Sequence, residues 1–234
     1  MSWFTWLEQG RDIKVSRQVL AALARTLRLE PAERQHLYRL AGELPDAGDD
    51  ARDERDTDAR LRDLLAILEP NPAFVMDIHW DLISWNRAEA ALFTDFAALP
   101  PEQRNMIWLI FAWPPARALF VDWERQARPV LAQFRIAADE HPTDPRFAEI
   151  LADVRNARDD FDSWWSRHDV ADYQTVIKRF NHPSAGLLTL HQVKLIPAND
   201  PSLQFVVRYP ADSETNEVLP RLMQPARVPS RTPR

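Results

Sequence analysis

Three segments, residues 175–180, 186–196 and 203–210, are dense in β-branched and aromatic side chains, and the stretches between them, NHPSA and PANDPS, consist of turn formers. Such residues suit a pleated, half-buried surface, whereas Pro, Asn, Asp and Ser interrupt it. Three strands of a meander follow from that alternation. Before residue 170 the texture is different. Apolar residues recur at helical spacing and are interrupted at Pro114, Pro115, Pro142 and Pro145, which predicts about three helices between residues 105 and 169.

A further strand signal lies earlier in the chain. Residues 73–86, AFVMDIHWDLISWN, read as two short β runs around a turn at residues 77–80, feeding a helix from Asn86 to about Phe93. A hairpin entering a helix, with a meander to follow, gives an α+β class. Ahead of the hairpin, Leu61, Leu64, Leu65 and Leu68 keep a helical period that Pro70 and Pro72 end.

Charge divides the chain. Residues 46–58 hold seven acids against Arg52 and Arg55, while residues 1–28 carry Arg11, Lys14, Arg17, Arg25 and Arg28 against only Glu8 and Asp12. The acidic run has no apolar period, so residues 45–58 are expected to form a solvated, flexible linker. Before it, Ser16 stands at an N-cap position ahead of Val19, Leu20, Leu23, Ala24 and Leu27, and Pro31 opens a second helix with Leu37, Leu40 and Ala41 on its apolar side. The expected organisation is a helical region at 1–44, the linker at 45–58, an α+β domain at 59–211 and a disordered Pro- and Arg-rich tail at 212–234.

Several chemistries lack their residues. Without cysteine there is no disulfide, thiolate metal site or thiol nucleophile, which fits a reducing, cytoplasmic setting. No apolar run is long enough to span a bilayer, and the first residues do not read as a signal peptide. The histidines at 36, 79, 141, 168, 182 and 191 show no HExxH spacing, and only four glycines leave no phosphate-cradling loop. No metal, no catalytic residue and no enzymatic activity are therefore expected. Neighbouring acids such as Asp159 and Asp160 point different ways on a helix and cannot share an acid–base task.

Seven of the nine tryptophans fall within the expected α+β domain. Aromatic walls with a few polar anchors hold small apolar ligands, so their number argues for a cavity, although each one taken singly suits an ordinary core. The pairs Phe161 with Trp165 and Trp164 with His168 are each four residues apart, on adjacent faces of one helix. Arg135, Lys178, Arg179, His168 and His182 are candidates for holding an acidic head group, with structural roles the alternative for each.

The segment from about residue 61 to residue 210 resembles the MmyB-like transcription regulator ligand-binding family. The landmarks are Asn71-Pro72-Ala73-Phe74, Trp80, Trp85-Asn86-Arg87-Ala88, Arg104-Asn105 before Leu109-Ile110-Phe111, Asp122-Trp123-Glu124, Phe134-Arg135, FDSWWSRHDV at 161–170 and His182-Pro183. The resemblance implies a PAS-like antiparallel sheet with inserted helices and a bound fatty-acid-like molecule. It places the ligand among Phe74, Trp80, Trp85, Asn86, Phe111, Trp123, Arg135, Phe161, Trp164, Trp165 and His168.

The first forty or so residues resemble the C-terminal part of an Xre/Cro-type helix-turn-helix, with Leu7-Glu8-Gln9-Gly10 closing the recognition helix. The resemblance implies that Ser2, Thr5 and Trp6 face the major groove while Arg11, Lys14, Ser16 and Arg17 hold phosphates. The family's two preceding helices are missing from the chain, so a partial all-α helix-turn-helix and a truncated or misassigned start are expected. Together the readings describe a bacterial, homodimeric, DNA-binding transcription regulator that senses a small apolar ligand, with no membrane partner. The alternative is a stand-alone ligand-binding or protein-interaction module carrying an inactive DNA-reading remnant.

Overall fold

A computed structural model describes residues 16–41, 51–166, 176–198 and 200–223. The chain divides into two compact units after Thr57, at the acidic stretch where the charge pattern changes. In the first unit, helix α1 (Arg17–Thr26) and helix α2 (Pro31–Leu40) bury Leu20, Ala24 and Tyr38. Ser16 occupies the N-cap position with extended backbone, but its side chain makes no capping bond and is exposed. Leu27 and Leu40, expected in the apolar stripes, are exposed, because each lies at the end of its helix beyond the buried turn.

Helix α3 (Ala51–Ile67) corrects the expected linker over residues 51–58, where its first turns run through acids read as flexible, while residues 45–50 lie outside the described residues. Composition argued for solvation, but Ala, Arg, Glu and Asp also propagate a helix once it is continuous with the amphipathic Leu61–Leu65 stretch. The second unit contains a five-stranded antiparallel sheet of β1 (Ala73–Met76), β2 (Leu82–Trp85), β3 (Val176–His182), β4 (Gly186–Leu195) and β5 (Gln204–Pro210), in the order β2-β1-β5-β4-β3. The expected hairpin and the three-strand meander are both present. Their register joins through β1 and β5, where Phe74 faces Val206.

The two faces of the sheet have different covers. Leu61, Leu65 and Leu68 pack on the outer face against Ala73, Val75, Phe205 and Val207. Over the inner face lie α4 (Arg87–Leu92), α5 (Met106–Phe111), α6 (Ala116–Leu119), α7 (Trp123–Glu140), α8 (Pro145–Ala157) and α9 (Phe161–Trp165). The middle of the chain thus breaks into more, shorter helices than expected, while α7 continues through Pro129.

The expected disordered tail is also corrected. Helix α10 (Ser213–Val218) is capped by Asp212, whose side chain accepts from Thr215 N. Thr215 is buried, its Oγ1 accepts from Thr189 N on β4 at 2.9 Å, and Leu219 is buried beyond it. The proline-rich composition concealed a cap and two inward-facing side chains, which suffice to dock one short helix. Residues 224–234 lie outside the described residues.

Candidate functional site

Successive residues of a strand alternate between faces, and residues directly opposed across an antiparallel pair share one. Lys178 opposes Leu190, Gln192 opposes Arg208, and Lys194 opposes Val206, which also opposes Phe74. The inner face therefore gathers Phe74, Met76, Val206 and the polar groups of Lys178, Gln192, Lys194 and Arg208. Above it, Ile110, Phe120, Trp123, Gln126, Val130 and Gln133 close a cavity of about 60 Å³ opening into a wider mouth, with about 740 Å³ of empty space, mouth included. The site is a small, partly open slot between the sheet and the helices above it.

Two features of α7 and the β1–β2 turn shape this slot. Pro129, in the cavity wall, removes the helical bond to the carbonyl of Arg125. Trp80 has a φ of 67°, a left-handed conformation that is costly for an aromatic residue. Asp77 secures the turn by accepting from His79 N and Asp81 N, and the carbonyl of Trp80 accepts from Met106 N at 2.9 Å. The turn thus delivers the Trp80 ring to the wall, edge-on to Phe134.

Two cations are buried on the inner face. Arg208 is 3% exposed; its Nη1 donates to both carboxylate oxygens of Glu89, itself 0% exposed, and its Nε donates to Gln192 Oε1 at 3.0 Å. Its guanidinium also lies 5.0 Å from the ring centre of Phe74 and 5.3 Å from that of Phe93. Burial pushes the Glu89 carboxyl up, and the guanidinium pulls against it.

Lys178 is 5% exposed, and its ammonium forms no hydrogen bond or ion pair among the described residues. Burial and then the nearby Arg208 lower its pKa to about 8. Burial also lowers that of Lys194, whose Nζ lies 5.8 Å from the ring centre of Trp80. With Glu89 matched to Arg208, the buried trio of Lys178, Arg208 and Glu89 retains one positive charge. Such a charge in an apolar slot favours an anionic partner.

Residues 57–222 match the family described as MmyB-like transcription regulator ligand binding domain. The chain belongs to this family. No curated protein matches the sequence closely enough to stand as a relative. The family is a class of transcription-regulator ligand-binding domains rather than of enzymes, which points to regulatory ligand sensing. No helix among the described residues is long and apolar enough to cross a membrane.

Within the MmyB-like domain, the candidate residues separate into lining and packing groups. Phe74, Trp80 and Trp123 line the cavity, as does Lys178 among the proposed anchors. Phe111, Phe161 and Trp164 do not: with Trp123 they form a cluster of edge-to-face rings, centroids 5.1 to 6.1 Å apart, between α5, α7 and α9. Trp165 stacks on Phe161 and lies under Arg135, whose Nη2 donates to the carbonyl of Trp165. Arg135 thus secures α9 to α7. Trp85 packs against Phe96.

Asn86 is a packing residue of another kind. Its Oδ1 accepts from Ala73 N and Glu89 N, and its Nδ2 donates to the carbonyls of Leu65 and Asn71. With these bonds made, it joins α3, β1 and α4 and has little left for a ligand. Ring nitrogens of His182 bond to the carbonyl of Ala91 and the amides of Ser184 and Ala185, closing the β3–β4 turn. Arg179 lies on the opposite face parity from Lys178, its carbonyl accepting from Val121 N and Gln126 Nε2. Ser2, Thr5, Trp6, Arg11, Lys14 and His168 lie outside the described residues, as does the side chain of Arg17.

The polar lining residues Gln126, Gln133, Gln192, Lys194 and Arg208 were absent from the expected site. Parity would have found three of them: Gln192 and Lys194 share that of Leu188 and Leu190, while Arg208 shares that of Val206. A second cluster was missed although its members lie within five residues of one another, because their partners Asp144 and Arg146 are distant in sequence. Asp77, His79 and Asp81 could reach one metal ion, their ligand atoms within 4.8 Å of one another. They are already engaged: His79 bonds Asp77 at 3.1 Å and Asp144 at 2.8 Å, and Arg146 holds both oxygens of Asp81 at 2.8 Å. Burial alone would lower the His79 pKa, but Asp144 and Asp77 outweigh it and the net shift is upward. The cluster ties the β1–β2 turn to the start of α8.

Proposed function

We propose that this domain binds a narrow apolar molecule ending in an acidic head group, such as a long-chain fatty acid, and that the bound state alters DNA binding by the N-terminal helical region. The carrying observation is Lys178: a buried ammonium without a partner among the described residues, facing an apolar slot beside an Arg208 that is already matched. A carboxylate at Lys178 would form a charge-assisted bond in a low-dielectric setting, while the chain would lie along Phe74, Met76, Ile110, Phe120 and Trp123. On DNA, the exposed Ser16 hydroxyl at the start of α1 would meet phosphate, with Arg11, Lys14 and Arg17 adding salt-dependent contacts and Ser2, Thr5 and Trp6 facing the bases. A homodimer would place two such readers on paired half-sites.

Ligand and DNA are coupled only when the ligand prefers one of two states of the protein. Native mass spectrometry of detergent-free preparations is expected to show an acidic lipid adduct. Fluorescence anisotropy on a random-sequence duplex pool is expected to show DNA affinity changing about tenfold when dodecanoate saturates the domain. Dodecanoate that fails to bind defeats the acid reading. Dodecanoate that binds while leaving DNA affinity unchanged defeats the coupling and supports a stand-alone ligand-binding module.

A further inference from the structure

Two lysines line the slot, and the sheet register holds them apart. Lys178 on β3 opposes Leu190 on β4, and Lys194 lies four residues farther along β4 on the same inner face. At about 3.3 Å per residue along a strand and about 4.8 Å between strands, their Cα atoms stand roughly 14 Å apart. The row between them holds Gln192 and Arg208, whose guanidinium is already engaged by Glu89 and Gln192. Burial and Arg208 lower the Lys178 pKa and burial lowers that of Lys194, with neither ammonium depressing the other, as the separation requires. Lys194 is half-buried, with its Nζ 5.8 Å from the ring centre of Trp80. A ring attracts an ammonium through its quadrupole without cancelling its charge.

The second lysine stands at the end of an apolar row: Lys194 opposes Val206, and Val206 opposes Phe74. A chain anchored at Lys178 and running along these side chains therefore brings its far end to Lys194. A plain fatty acid would set a methyl group against a half-buried ammonium and strip it of water, which costs free energy without a compensating partner. An acidic far end would match it instead. Resting on the acid-head reading above, we infer that the ligand is acidic at both ends: an α,ω-dicarboxylic acid of medium chain length, with one carboxylate at Lys178, the other at Lys194 and the methylenes along Phe74 and Val206. The formal charges agree, since the trio of Lys178, Arg208 and Glu89 retains one positive charge and Lys194 adds a second.

The test is a calorimetric titration of the full chain at pH 7 with decanedioate, dodecanedioate and tetradecanedioate, each against the monoacid of the same length, repeated with Lys194→Met. At least one diacid is expected to bind the wild type about tenfold more tightly than its monoacid. In Lys194→Met the order is expected to reverse, because the second carboxylate then ends on an apolar side chain. The readout is the ratio of two affinities within one variant, so a general effect of the substitution on the slot cancels. Monoacids that bind the wild type as tightly as every diacid, or more tightly, overturn the inference and leave the acid reading standing. A diacid preference undiminished in Lys194→Met overturns the place given to Lys194. Absence of binding by all the acids overturns both readings. Should Lys194→Met fail to fold or to bind, the monomethyl ester of the preferred diacid decides on the wild type: a loss of about tenfold supports the inference, and an affinity equal to that of the diacid overturns it.

Discussion

Arg208 and Lys178 lie on one face of one sheet, both almost wholly buried, yet they are provided for differently. Arg208 meets the Glu89 carboxylate, the Gln192 amide and three aromatic rings, whereas Lys178 meets no acid among the described residues. A buried charge that is fully matched supports the fold, and its loss strands its partner. A buried charge left unmatched weakens the fold and is retained for what it can bind. The same inner face therefore holds a matched cation and an unmatched one, and residue type alone does not tell them apart.

The comparison breaks most readily at Arg208. Replacing it by Met leaves the Glu89 carboxylate buried without a cation and is expected to cost about 3–5 kcal/mol in urea unfolding, with most of the loss recovered when Glu89→Gln is added. A loss confined to a few tenths of a kcal/mol would show that the pair is not structural.

Lys178→Met is expected to act in the opposite direction. The Lys178 pKa is about 8 in the fold against a model-peptide value of 10.5, so at pH 7 it is protonated in both states and the variant gains on the order of 2–3 kcal/mol in stability. Between pH 8 and 10.5 the unfolded chain binds more protons than the folded one, so wild-type stability rises with pH through this window and the gap to the variant narrows. Measuring the gap at pH 7 and pH 10 checks the sign. A variant less stable than wild type at pH 7 would mean that Lys178 is matched after all.

The ring cluster supplies the control. Phe161→Leu is expected to lower stability by about 1–2 kcal/mol and leave the affinity for dodecanoate unchanged, because Phe161 packs between helices away from the slot. A change in affinity would return the cluster to the binding site.

His79→Asn sharpens the picture at the smallest scale, about 1 kcal/mol near pH 6. The His79 pKa is raised from 6.5 by its two carboxylates after burial has opposed them. Its contribution is therefore complete below pH 6.5 and is lost as pH rises through the folded value. Stability curves of variant and wild type should converge above that value. Curves that stay parallel would contradict the charged tie.

Much of the fold was legible in the chain because periodicity and turn chemistry act locally. The segments at 73–86 and 175–210 announced their strands and turns, and Asn86 announced a helix start. The ends of the domain were misread for the opposite reason: the acidic first turns of α3 look like solvated chain until they are continuous with the Leu61–Leu65 stretch, and the Asp212-capped α10 does so until β4 and the core receive Thr215 and Leu219. The site was legible only in part. Tryptophans drew attention to α9, yet Phe161 and Trp164 fill the core, while the groups that distinguish the slot are polar residues on β4, β5 and α7. Arg208 and Glu89 are 119 residues apart, and no local pattern reveals that one cation has an acid and the other does not.

Titrating wild type and Lys178→Met with dodecanoate and with dodecanol tests this division most directly. Wild type is expected to prefer the acid by about 30-fold or more, as removal of one member of a buried charge pair commonly costs. In Lys178→Met the two ligands should bind alike, with dodecanol affinity preserved. An undiminished preference for the acid in the variant would contradict the assignment of Lys178 as the charge that the fold leaves open for its ligand.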